Sequence, residues 1–154
     1  MSRLSLRSRS RRIAAARLRL FLEPLEDRRV MAGYTLQILH ASDAEAGLAT
    51  IDDAPRFAAI VDLLEDSHPN SILVSGGDNF LPGPFFNAGG DPALNAVLGA
   101  ASIGRADIEI MNRIGFEVSA MGNHEFDLGT NELRNLFHPA GSWQGGQFPY
   151  LTAN

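Results

Sequence analysis

Apolar and polar positions along the chain switch repeatedly between a two-residue and a helical period, and the switches predict an α/β order. Residues 34–40, Tyr-Thr-Leu-Gln-Ile-Leu-His, are apolar and β-prone and read as a first strand. Pro55 marks a first helical turn. Behind it Phe57, Ile60, Val61 and Leu64 repeat at i, i+3, i+4, i+7 and stop before Pro69, which predicts an amphipathic helix packed on a sheet. Residues 71–75, Ser-Ile-Leu-Val-Ser, form a short continuous apolar run between turn residues, as in a strand of a parallel sheet covered on both faces.

The stretch 76–90 is dense in glycine, carries Pro82 and Pro84 around Phe80, Phe85 and Phe86, and reads as loop. A helix is expected from Pro92 with Asp91 as its cap. Another is expected over 105–114 with Gly115 as its stop. Residues 116–120 read as a third strand, 131–137 as a short helix after Thr130, and 149–153 as a fourth strand. After residue 33 there is no internal repeat and no low-complexity segment.

The 154 residues suit one domain, and the apolar share is that of an ordinary globular protein. Charge divides the chain sharply. All 13 basic side chains are arginine, and nine of them precede residue 34, giving +6 there and −11 over the rest. Residues 1–33 are therefore a basic leader and 34–154 an acidic body. That body repels nucleic acid polymers, whose binding needs cations against phosphate, so a small anionic substrate held through metal ions is the expected partner. The absence of cysteine excludes disulfides, thiolate metal sites and thiol nucleophiles. Arg17 and Arg19 interrupt the apolar patch of the leader, so no membrane-spanning run exists in the sequence, and a secretory signal is not cleanly formed.

Three segments place acidic residues just past the end of a short apolar strand. They are Leu36-Gln-Ile-Leu-His-Ala-Ser-Asp43-Ala-Glu45, Ile72-Leu-Val-Ser-Gly-Gly-Asp78-Asn79 and Met121-Gly-Asn-His-Glu-Phe-Asp-Leu-Gly129. In open α/β sheets such strand ends converge on one crevice, and carboxylates with Asn and His there predict metal and phosphate chemistry. In order and spacing the segments resemble the calcineurin-like metallophosphoesterase superfamily, and within it the 5′-nucleotidase branch. The likeness runs from about Tyr34 to Asn154, including the closing Phe148-Pro-Tyr-Leu-Thr-Ala-Asn154. The leader segment Leu22-Glu-Pro-Leu-Glu-Asp-Arg-Arg-Val-Met-Ala32 resembles one found on exported planctomycete proteins, which implies export to the periplasm or beyond. A basic tail, or initiation at Met31, is the plain alternative.

The resemblance implies part of a four-layer αββα sandwich with mostly parallel strands and flanking helices. It implies two divalent ions that activate water and neutralise phosphate oxygens. Asp43 matches the first-metal ligand, Asp78 the bridging carboxylate and Asn123 the second-metal ligand. His124 matches the histidine beside the scissile phosphate, with Asp127 as the partner that orients its ring. Glu45 stands where the family usually has His. As a ligand it supplies hard oxygen, shifting preference toward Mn²⁺, Mg²⁺ or Ca²⁺ and away from Zn²⁺. Glu125 is either a supporting residue or a solvated one at the turn. His40 reads as a structural strand-end residue, and His68 and His138, each before Pro, as exposed turn residues.

The family's catalytic domain is about twice as long as this body, and its second half supplies further histidine ligands that the sequence lacks. One half alone is expected to expose apolar sheet surface and to be a poor catalyst. The sequence therefore supports two readings. One is part of a metal-dependent phosphatase acting on small phosphate monoesters, nucleotides first among them. The other is a non-catalytic metal- or partner-binding module built from half the fold.

Overall fold

The computed structural model describes residues 33–44 and 47–152. The leader before Gly33 and the Glu45 ligand position lie outside the described residues. The elements follow the expected order. β1 (Gln37–Ala41) leads to α1 (Thr50–Ser67) and β2 (Ser71–Ser75). Two short helices follow, α2 (Pro84–Ala88) and α3 (Asn95–Leu98), the latter preceded by a 3-10 turn at Pro92–Leu94. Then come α4 (Arg105–Ile114), β3 (Val118–Ala120), a 3-10 turn at His124–Phe126, α5 (Thr130–Phe137) and β4 (Tyr150–Leu151). All three strand pairings are parallel, in the order β1-β2-β3-β4, with Leu39 opposite Leu73, Val74 opposite Val118 and Ser119 opposite Tyr150.

Local chemistry accounts for several boundaries. Asp91 accepts the Ala93 N–H at 2.8 Å and caps the 3-10 turn as expected. Gly115 ends α4 in the left-handed region, φ 95°, its N–H returning to the Met111 carbonyl. α1 begins earlier than Pro55 suggested, at Thr50, with Asp52 and Asp53 in its first turn, where acidic side chains suit the helix dipole. Its buried face also differs from the expected stripe. Val61 is buried and Phe57 half-buried, but Ile60 and Leu64 are exposed, and the helix packs instead through Ala54, Phe57, Ala58 and Val61. The stretch expected to be loop contains α2, started by Pro84 at its first turn, because Phe86 finds a buried seat.

The core has two parts. Val61, Leu73, Met111, Phe116 and Phe148 join α1 and α4 to one face of the sheet, with Leu39 and Tyr150 packed against them. Phe80, Phe86, Leu98, Ile108, Leu136 and Trp143 form the second part, among α2 to α5. The sheet's opposite face is not covered on both sides as the apolar β2 run suggested. Among the described residues it leaves Ile38 62% and Leu151 56% exposed, with Ile72, Val74 and Val118 half-buried between them.

Candidate functional site

The loops that follow β1, β2 and β3 are tied to one another. The Gly76 N–H donates to the Ala41 carbonyl at 2.9 Å and the Asp43 N–H to the Gly77 carbonyl at 3.1 Å, joining the β1 and β2 ends. The His124 N–H donates to Asp78 Oδ1 at 2.8 Å, joining the β2 and β3 ends. Asp43 and Asp78 are the two non-glycine residues with positive φ among the described residues, 53° and 51°. That conformation is disfavoured for L-residues and marks backbone held by its surroundings. The approach of the two loops depends on missing side chains. Gly77 faces the Gly122 backbone, and a Cβ at Gly122 would collide with Asp78.

Glu125 holds the crossing together. It is 2% exposed. One oxygen accepts the Asp78 N–H at 3.0 Å and the Gly122 N–H at 2.7 Å, the other the Asn79 N–H at 2.8 Å and the Asn79 side-chain amide at 3.2 Å. Of the two sequence readings of Glu125, the buried supporting one is what the structure has. Asn79 continues the network inward, donating to Ser119 Oγ at 2.7 Å and Tyr150 Oη at 3.2 Å and accepting from Ser75 Oγ. Burial pushes the Tyr150 phenol well above its usual range, and the nearby Glu125 charge adds to the shift, against hydrogen bonds from Asn79 and Ser119. Sequence reasoning missed Ser75, Asn79, Ser119 and Tyr150. The available signal was polar residues at inward positions of apolar strands.

His124 Nδ1 lies 2.7 Å from Asp127 Oδ2, on a half-exposed surface, so the pair joined by the sequence pattern is a pair in space. Asn123 is exposed at the start of the same 3-10 turn, and Asp43 is exposed at the β1 end. Asp43, Asp78 and Asn123 supply hard oxygen donors, which suit Mg²⁺, Mn²⁺ or Ca²⁺. Among the described residues they do not form a metal cluster of three or more His, Cys, Asp or Glu side chains. His40, His68 and His138 are exposed.

No family model matches the chain. It is 35% identical over 91 residues to endonuclease YhcR of Bacillus subtilis, covering 55% of this chain and 6% of that protein. It is 29% identical over 134 residues to a snake venom 5′-nucleotidase of Naja atra, covering 79% and 22%. Among solved structures, the calcineurin-like phosphoesterase YfkN of Bacillus subtilis matches with a TM-score of 0.51 and 25% identity over 75% of this chain and 36% of that one. The NAD nucleotidase NadN of Haemophilus influenzae shares the fold with a TM-score of 0.54 and 24% identity, over 77% of this chain and 20% of that one. The chain spans less than half the length of these relatives. The chain is thus similar to proteins named as nucleotidases and calcineurin-like phosphoesterases, and it shares the α/β fold of those solved structures over about three quarters of its length.

Proposed function

We propose that this chain is the opening part of an exported, metal-dependent phosphatase that hydrolyses phosphate monoesters, nucleotides in particular. In this reading residues 1–33 are an export-related leader and 34–154 belong to the catalytic domain. The observation that carries it is the bridge from Glu125 to the Asp78 and Gly122 backbones, which sets Asp78 beside the His124 turn. Asp43, Glu45, Asp78 and Asn123 would hold two divalent ions, drawn from Mn²⁺, Mg²⁺, Ca²⁺ or Zn²⁺. Such ions supply charge neutralisation and an activated water when bound. Further ligands would come from sequence beyond these residues.

The chain's own residues do the rest. His124, half-exposed above the turn, donates a proton to the leaving oxygen or stabilises negative charge on the phosphoryl group. Asp127 holds the His124 ring in place through Nδ1. Glu125 and the left-handed Gly77-Asp78 turn keep Asp78 and His124 in fixed relation, so little reorganisation is needed during reaction. Among the described residues no helix is long and apolar enough to cross a membrane.

The test is hydrolysis of a generic phosphomonoester and of a nucleoside monophosphate by the complete native protein with Mn²⁺. Turnover lost by a factor of about 100 or more in Asp78→Asn, and reduced about 10 to 100-fold in Asp127→Asn, is the expected result. No turnover in the unaltered protein, or indifference to Asp78→Asn, overturns the reading. A second reading, a non-catalytic module that binds a partner, is favoured by the open sheet face at Ile38 and Leu151. The intact mass of the native protein separates the two. A mass tens of kilodaltons above that of the 154 residues favours the enzyme, and one at or below it the module.

A further inference from the structure

α4 carries one side chain that the phosphate chemistry does not use. Asp107 is 4% exposed, and neither of its carboxylate oxygens has a hydrogen-bond partner on another residue. It lies on the α4 stripe with Ile110, Met111 and Ile114, which together with Thr50, Asp53, Ala54 and Phe57 of α1 encloses a cavity of about 420 Å³. Asp43 and Asn79 close its end under the β1 loop. No described residue lining the cavity is cationic, and of its three carboxylates only Asp53 is ion-paired, with Arg56 at 3.3 Å outside the lining. Thr50, Ala54, Ile110 and Ile114 also line a second, apolar groove of about 380 Å³ with Ile51, Ala58 and Phe85. The one arginine on that groove, Arg113, is already paired with Glu109 at 2.7 Å.

We propose that this cavity binds an amphipathic organic cation, a primary ammonium group on an apolar chain, with Asp107 as its counter-ion. An unpaired buried carboxylate is costly, and a cation of matching size removes that cost while its own charge is compensated. A divalent metal wants several oxygen ligands around it, whereas Asp107 is the one buried carboxylate of this lining and sits among apolar side chains. A single ammonium needs only one good acceptor and tolerates apolar walls around its carbon body. Ile110, Met111, Ile114 and Phe57 give that body apolar walls, as in small-molecule sites built from apolar side chains and a few polar anchors. Asp43 of the proposed metal site borders the cavity, but His124 and Asp127 do not line it, so a titration reads amine binding whether or not the chain hydrolyses phosphate esters.

The experiment is an NMR titration of the isotope-labelled full chain at pH 8 with n-hexylammonium, and separately with n-hexanol as the uncharged control of equal length. The expected result is saturable shifts of the Asp107, Ile110 and Ile114 amides with the amine, and binding at least tenfold weaker with the alcohol. Asp107→Asn should weaken the amine by a similar factor, and Ala54→Leu, which fills the cavity, should abolish its shifts. Equal response to amine and alcohol, or no saturation with the amine, overturns the proposal on the unaltered protein alone. An undiminished affinity in a folded Asp107→Asn variant overturns it as well.

Discussion

At Glu125, one buried carboxylate accepts N–H groups from Asp78, Asn79 and Gly122, residues of two loops that are more than forty positions apart in part of that set. Glutamine has nearly the same shape but offers one acceptor oxygen, so Glu125→Gln turns an amide group toward backbone donors. Each buried donor left unpaired costs about 1–3 kcal/mol. The urea midpoint of Glu125→Gln is therefore expected to fall, and that of Glu125→Ala to fall further. A midpoint unchanged in both variants would show that the carboxylate does not join the loops. The sequence motif around Gly122 and Asn123 pointed to a strand-end site, and the pairing of His124 with Asp127 was legible from the family resemblance. The place of Glu125 was not, because a carboxylate at a turn is equally at home in water, and only the arrival of the β2 loop gives it three of its four donors.

Among elements, α4 was legible almost to the residue. Gly115 is a local signal, and it suffices to mark the end of a helix that stops on a left-handed glycine. α1 was misjudged at its start because proline is commonest in the first turn, yet here a turn and a half of helix precedes Pro55. α4 also carries a pH response. Burial raises the Asp107 carboxyl from 3.8 to about 7, and the residue's own backbone amide offsets this only in part. Because the folded state holds this proton more tightly than the unfolded state, the contribution to stability is complete below about pH 4 and is lost as pH rises through about 7. The loss is of the order of 4 kcal/mol at most. Asp107→Asn has no such proton to lose, so its stability relative to the unaltered chain should improve between pH 5 and 8, as denaturant midpoints across that range would register. Parallel curves for the two proteins would contradict the assignment.

For the unit of residues 35–152, the exposed sheet face dominates what is expected in solution. Ile38 and Leu151 stand open on that face, and β1 pairs on one side only, with β2. An apolar face beside an unpaired strand edge is a template for association. The chain should therefore bind a hydrophobic dye and self-associate with rising concentration. Ile38→Lys, which puts a charge on both the face and the edge strand, should reduce both effects in light scattering and dye titration. A strictly monomeric chain with no dye uptake would mean that the face is covered.

The linear sequence by itself determined the α/β order, the parallel strands and the strand-end positions of Asp43, Asp78 and His124. These follow from periodicity, turn residues and motif spacing, which act over a few residues at a time. Only the tertiary structure decided which face of α1 is buried, that Ser75, Asn79, Ser119 and Tyr150 form a polar network under the site, and that Asp107 lies unpaired in a cavity. Those outcomes depend on which distant groups meet in a low-dielectric interior, where pairing or its absence carries a cost that exposed side chains do not face.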